Sequence, residues 1–364
     1  MKIVALDTFA VDIPYDFGAP TQGFGAEDWN SLSIVLIRLQ SDDGATGWGE
    51  AFSYNCVEAV MSVVNKMIAP LVIGQTVTDI NDFNSTLQQK LHLFGRYGIT
   101  MFAISGVDIA LWDLAAKQAN VSLAKLLKPE SVDQIEGYAS LFRYQDREAV
   151  VGQASAAVQQ GYRRVKLHEI GLDEMRAART ALGDHDMMLD VNCPWSEAEV
   201  HALLPALSEL NPYWLEEPIF PPEDFDALAR LNRQSTIAIA AGENACTAVE
   251  FQRMIDTNAV SFCQPSVTKV GGVTEFIKIA AAVAKSELQL MPHSPYFGPG
   301  FLATLQLSAA LAPDTLLERF FATAESGLYG HWTDPKQGVF RVPDGPGLGV
   351  ELDENVLREY AMKL

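Results

Sequence analysis

The sequence predicts an α/β protein in which a parallel barrel follows an N-terminal α+β segment. Three observations carry that reading. Eight short apolar runs alternate with amphipathic stretches between residues 135 and 317. Ionisable residues close run after run, about 25 residues apart, as they do where barrel strand ends meet at one mouth. The first 130 residues keep a different order, strands first and helices afterwards.

Along the chain, residues 2–11 alternate in polarity, Ser33-Ile34-Val35-Leu36-Ile37-Arg38-Leu39 is a β-rich run, and Asp43-Gly44 marks a turn. A long connection over residues 15–30 mixes Gly18, Pro20, Gly23 and Gly25 with Tyr15, Phe17, Phe24 and Trp29. The aromatics suit a loop that closes over a ligand; a surface loop tucked on its own aromatics is the plainer reading. From residue 57 to about 128 the pattern turns helical, with Ile104, Val107, Ala110, Leu111, Leu114 and Ala115 in an i, i+3, i+4 stripe. Strands are then expected over 135–141, 164–167, 187–191, 213–215, 237–241, 259–263, 288–292 and 315–317, with helices such as 149–160, 197–210, 225–233 and 274–286 between them. An open doubly wound sheet is the alternative arrangement of the same units. No GxGxxG or GxxxxGK[ST] string follows any strand, so nothing points to a nucleotide site.

The chain of 364 residues is 48% hydrophobic and can bury a large core without disulfides. Its formal net charge of −20 argues against nucleic acid and anionic membranes as partners. Cys56, Cys193, Cys246 and Cys263 form no CxxC pair, which fits a reduced compartment and disfavours a cysteine zinc site. No run of about 18 apolar residues is present, so no spanning helix is expected. The opening Met1-Lys2-Ile3-Val4-Ala5-Leu6-Asp7 reaches an acid too soon for a secretory signal, and a cytoplasmic protein is expected.

The strand ends read Lys166-Leu167-His168, Asp190-Val191-Asn192, Glu216-Glu217-Pro218, Gly242-Glu243-Asn244, Pro292-His293-Ser294 and Glu318-Arg319. Asp190, Glu216 and Glu243 on successive strands would repel one another unless a cation lies between them. All-oxygen ligation suits Mg2+, and no histidine pair stands at zinc-ligand spacing. A structural salt bridge of one acid with Lys166 or Arg319 is the plainer reading, and it suits Glu217 better than the other three. Lys166 and His168, two apart on a strand, face one side, while His293 would look back from the seventh strand. Basic groups on both sides of such a cation suit removal of the proton beside a substrate carboxylate, the metal stabilising the enediolate. His92, His185, His201 and His331 stand in helical or loop contexts and receive no role.

At these strings the sequence resembles the enolase superfamily, specifically its mandelate racemase/muconate lactonizing enzyme subgroup. Lys269-Val270-Gly271-Gly272, Leu317-Glu318-Arg319, Gly47-Trp48-Gly49-Glu50 and Asp108-Ile109-Ala110-Leu111-Trp112-Asp113 strengthen the likeness, which covers nearly the whole chain. The resemblance implies a modified (β/α) TIM-type barrel over 131–330, an α+β capping domain over 1–130, and a segment over 331–364 that completes the cap. It implies Asp190, Glu216 and Glu243 as Mg2+ ligands, and Lys166 at the substrate carboxylate. His168 stands where most relatives carry a second lysine as base, His293 would be the opposite acid/base, and Glu318 would donate a hydrogen bond to the substrate carboxylate. Asn192 would face a substrate hydroxyl, and the 15–30 loop (Tyr15, Phe24, Trp29) with the turn at Tyr54 would set specificity. Relatives usually support the seventh-strand histidine with an aspartate; here Ser266 occupies that place, so His293 is expected to be a weaker base. Lys269 is read as structural.

The expected reaction is dehydration of a hydroxy acid or acid sugar. A racemase or epimerase is the alternative, disfavoured by Ser266. A Mg2+-binding homologue whose catalysis has lapsed is a third reading, opposed by the retained bases and acids. The partner expected is a small carboxylate, with a homo-oligomer implied by the resemblance. No arginine lies in the 15–30 loop to clamp a second carboxylate, although Arg143 or Arg319 could meet one elsewhere.

Overall fold

The structure is a computed structural model that describes residues 1–20 and 30–364; the expectations for Phe24 and Trp29 lie outside the described residues. Strands β1 (Ile3–Asp16), β2 (Ser31–Ser41) and β3 (Thr46–Ala51) form an antiparallel meander. The β2–β3 turn uses Gly44 at φ 87, where the left-handed backbone excludes most side chains. Helices α1 (Val57–Val63), α2 (Ala69–Val72), α3 (Ile80–Leu91), α4 (Ile99–Gln118) and α5 (Leu123–Leu127) follow. Among the described residues α4 is long and apolar enough to cross a membrane by length and composition, but it is mostly buried within the protein. Asp108 and Asp113 interrupt its apolar run in the sequence. Its apolar surface is spent inside the protein, against β2, β3, α1, α3 and the barrel.

Eight strands follow: β4 (Gln134–Ser140), β5 (Arg164–Leu167), β6 (Asp186–Asp190), β7 (Leu215–Glu216), β8 (Ile239–Ala241), β9 (Phe262–Cys263), β10 (Gln289–Leu290) and β11 (Leu316–Phe320). Each pairs in parallel with its predecessor from β4 to β10, and β11 returns to pair with β4. This is a barrel, not the open doubly wound sheet. The seam between β10 and β11 is held by Thr315 Oγ1 donating to the Leu290 carbonyl (2.6 Å) and Ser294 N donating to Glu318 Oε2 (3.1 Å). Seven helices connect the eight strands: α6 (Arg147–Gln159), α7 (Leu172–Leu182), α8 (Glu197–Ser208), α9 (Phe225–Gln234), α10 (Thr247–Asp256), α11 (Gly272–Val283) and α12 (Pro299–Leu311).

Where an eighth helix would begin, the chain leaves the barrel. β12 (Thr323–Ala324) pairs with the end of β1, and β13 (Val339–Arg341) runs antiparallel to β4. After α13 (Glu354–Glu359), Met362 N donates to the Ala10 carbonyl (2.8 Å), so the C-terminus also lies on β1. The barrel interior is layered. Arg164, bonded to Glu136 (2.7 Å) and paired with Asp186 (3.1 Å), is followed by a plug of Tyr138, Met188, Trp214, Phe262, Met291 and Leu316. Two residues beyond the plug, the same faces carry Ser140, Asp190, Glu216, Gln264, His293 and Glu318. Alternation along a strand therefore seats the polar groups directly on an apolar floor.

Candidate active site

Lys166 lies at the centre of this polar layer, fully buried. Its Nζ stands 3.1 Å from Asp190 Oδ2, 3.1 Å from Glu216 Oε1 and 2.7 Å from Glu318 Oε1. Burial opposes its charge, but Glu216, Glu318 and Asp190 outweigh that and hold the ammonium well above its ordinary pKa. Asp190 and Glu216 are directly in register across β6 and β7. Glu216 also accepts from Trp214 Nε1 (2.9 Å), yet burial and the neighbouring Asp190 push its carboxyl up to about 8. Burial raises Asp190 too, but Lys166 and His168 hold it below the usual carboxylate range.

The two histidines stand on opposite sides of these acids. The His168 Nδ1–H donates to the Leu141 carbonyl, and its Nε2 is 3.0 Å from Asp190 Oδ2. The His293 Nε2 is 2.6 Å from Glu243 Oε2. Burial would raise Glu243, but His293 and Lys269 bring it down to about 2. Behind His293, Ser266 Oγ lies 3.0 Å from Nδ1 and bonds the Tyr296 hydroxyl. A cleft of about 470 Å³ opens over both histidines, Asn192 and Glu243, with Phe52 and Tyr54 reaching in from the N-terminal segment. Tyr54 fastens that segment to the barrel by donating to the Pro295 carbonyl.

Residues 149–356 match the family model described as enolase C-terminal domain-like. Residues 24–128 match that of the mandelate racemase / muconate lactonizing enzyme N-terminal domain. The chain belongs to this branch of the enolase superfamily. It is 28% identical to a D-galactarolactone cycloisomerase from Agrobacterium fabrum, over 100% of this chain and 99% of the relative. It is 31% identical to a D-galactonate dehydratase from Ralstonia pickettii, over 89% and 90% of the two chains. A racemase from Streptomyces coelicolor, solved with bound magnesium, superposes with a TM-score of 0.86 at 27% identity, over 99% of this chain and 100% of that one.

In this superfamily member, Lys166, Asp190, Glu216 and Glu318 form one buried cluster, while His168, His293, Glu243, Asn192 and Tyr54 line the cleft. Several placements differ from expectation. Tyr15 is packed against Phe17 and Phe297 (centroids 6.2 and 4.8 Å), its buried hydroxyl without a hydrogen-bond partner among the described residues, and it is not among the described residues that line the cleft. Ser266 lies behind His293, not against the cleft. Arg319 points out of the barrel, stacked over Phe297 (3.8 Å) and bonded to Asp334 (2.8 Å), beside a separate cavity of about 480 Å³. It therefore cannot reach a carboxylate in the cleft: along β11, Glu318 faces inward and its neighbour must face outward. Glu217 pairs with neither Lys166 nor Arg319; it accepts from Asn244 Nδ2 (2.8 Å) and from the Cys193 thiol (3.4 Å).

Sequence reasoning missed Phe52, Cys193, Phe220, Asn244 and Lys269 as cleft residues. Phe52 was legible, since it stands two before Tyr54. Lys269, read as structural, brings its ammonium over the Phe52 ring (4.8 Å) and within 4.0 Å of Glu243. Among the described residues no three His, Cys, Asp or Glu side chains converge as closely as a bound metal requires. Instead Asp190 and Glu216 are paired with Lys166, and Glu243 with His293. The donor chemistry still fits a divalent cation. Asp190, Glu216, Glu217, Glu243 and Glu318 crowd one mouth, where among the described residues Lys166, Lys269, Arg143 and two imidazoles offset them, and Glu216 is raised by burial and then by Asp190 beside it.

Proposed function

We propose that the protein removes the α-proton of a hydroxylated carboxylic acid and completes a dehydration, most plainly of an acid sugar. The observation that carries this is the pair of histidines facing each other across an acid-lined cleft, with a buried lysine beneath. Asp190, Glu216 and Glu243 would hold Mg2+, which supplies positive charge for a bound carboxylate and for the negative charge that grows on it. Lys166 adds a fixed positive charge that its three carboxylate partners keep protonated.

His168 Nδ1 is committed to the Leu141 carbonyl, so Nε2 is the nitrogen that takes up the α-proton, and Asp190 Oδ2 accepts from it afterwards. His293 Nε2 faces the site from the other side and would hand a proton to the departing oxygen. Ser266 behind it can hydrogen-bond the ring but cannot neutralise an imidazolium as a carboxylate does, which favours elimination over two-base racemisation. A relative named as a dehydratase supports this reading, and one named as a cycloisomerase keeps an isomerisation of an acid sugar beside it.

The test is a panel of acid sugars and hydroxy acids in D2O with Mg2+. Dehydration gives a 2-keto acid. Deuterium exchange with every hydroxyl retained would replace the proposal by epimerisation. Glu216→Gln should abolish Mg2+-dependent turnover, and full activity of that variant or of wild type in chelator would sink the metal assignment.

A further inference from the structure

We propose that Arg143 is a positioning residue: it turns the Asn192 amide so that the NH2 group faces the cleft, and the site there offers a donor to an acceptor oxygen of the substrate. This deepens the function proposed above and rests on it for the identity of the cleft. Arg143 follows β4 and reaches across two neighbouring strand ends. Its Nε donates to the His168 carbonyl (2.6 Å), and its Nη2 to the Val191 carbonyl (3.1 Å) and to Asn192 Oδ1 (2.9 Å). A guanidinium has only donors, so the amide atom that faces it must be the oxygen. The opposite end of the amide is then NH2. Among the described residues no hydrogen bond is made by Asn192 Nδ2, and Asn192 lines the cleft.

The backbone reinforces the choice. Asn192 and Cys193 both take left-handed φ values (55° and 56°), which swings the chain off the end of β6 and carries the Asn192 side chain round to Arg143. Asparagine tolerates that conformation better than most residues. Asn192 N donates to Asp190 Oδ1 (3.2 Å) and Cys193 N to the Glu217 carbonyl (2.7 Å), so the turn is anchored at both residues. The same guanidinium holds the carbonyl of His168, whose ring lines the cleft. One cation therefore fixes both the Asn192 amide and the backbone that carries His168. The substrate position opposite Asn192 should be an oxygen with a free lone pair, such as a hydroxyl, and a deoxy carbon there should be penalised.

The kinetic test uses D-galactonate with Mg2+ as probe. Asn192→Asp keeps an oxygen towards Arg143 and puts a second oxygen where NH2 stood; KM should rise about tenfold or more, with kcat changed less. Asn192→Ala and Arg143→Met should each raise KM about tenfold, and the double variant should be no worse than the worse single, because one residue acts through the other. Wild-type KM in Asn192→Asp, or fully multiplicative losses in the double variant, would overturn the proposal. Should Arg143→Met fail to fold, Asn192→Asp and the following measurement remain decisive. A neutron structure of the wild-type protein reads the amide directly: deuterons on the cleft side support the proposal, and deuterons towards Arg143 refute it. That structure needs no turnover, so a protein inert towards every acid would end the functional reading above without deciding this one.

Discussion

Lys166 shows how much one side chain organises here. It is fully buried, and the carboxylates of Asp190, Glu216 and Glu318 lie within 3.1 Å of its ammonium. Breaking a buried ionic cluster by removing one partner leaves uncompensated charge, and Lys166→Met should cost about 3–5 kcal/mol in denaturant unfolding at pH 8 in chelator. The same variant should lose turnover. Unchanged stability would mean that the acids find other cations. The sequence showed that Lys166, His168 and the acids recur in phase. It did not show that Lys166 would stand among the acids, because which of several in-phase side chains touch depends on strand stagger around the barrel.

At the scale of elements, the Gly47-Trp48-Gly49-Glu50 and Asp108–Asp113 strings are one packing solution. β3 lies so close to α4 that a Cβ on Gly49 would come 1.9 Å from the Gly106 carbonyl oxygen, and one on Gly47 would come 2.2 Å from that of Ala110. Gly49→Ala must therefore push strand and helix apart and should destabilise by more than about 2 kcal/mol. Gly152→Ala in α6, where a Cβ meets nothing within 4 Å, is the control and should be neutral or stabilising by about 0.5–1 kcal/mol. Equal melting temperatures for the two variants would contradict the account. The two aspartates of α4 face different partners. Asp108 accepts from Asn84 Nδ2 (2.7 Å), Thr274 N (2.8 Å) and Thr274 Oγ1 (2.7 Å) at the start of α11, and Asp113 accepts from Trp48 N (2.8 Å) and Leu348 N (2.7 Å). They join the N-terminal helix to the barrel, to β3 and to the C-terminal segment.

For the molecule as a whole, the junction between the N-terminal sheet and the barrel carries a buried acid. Glu50 on β3 accepts from Gly300 N (2.8 Å) in the first turn of α12, with its carboxyl against Gly298. Burial pushes it up to about 8, the hydrogen bond from Gly300 offsetting only part. A carboxyl whose pKa is raised on folding contributes stability that is fully present below its unfolded value, near 4.5, and is lost as pH rises through about 8. Wild type should therefore lose stability relative to Glu50→Gln across that window, by at most about 1.4 kcal/mol per pH unit. Parallel pH–stability curves for the two proteins would exclude this role.

The sequence alone determined the eight barrel strands and the residues that end them. Burial on alternate positions writes a period of two into each strand, and a repeat of near-constant length writes the barrel. The family strings were equally legible, because close backbone approach and buried aspartates tolerate few replacements. What only the tertiary structure decided is which neighbours meet. Arg319 faces out and Glu318 in, Ser266 stands behind His293, Lys269 enters the cleft, and Arg143 grips Asn192. Each of these contacts joins residues from different strand ends or loops, and strand tilt, stagger and loop direction, none of which is encoded in any one stretch of sequence, set their distances.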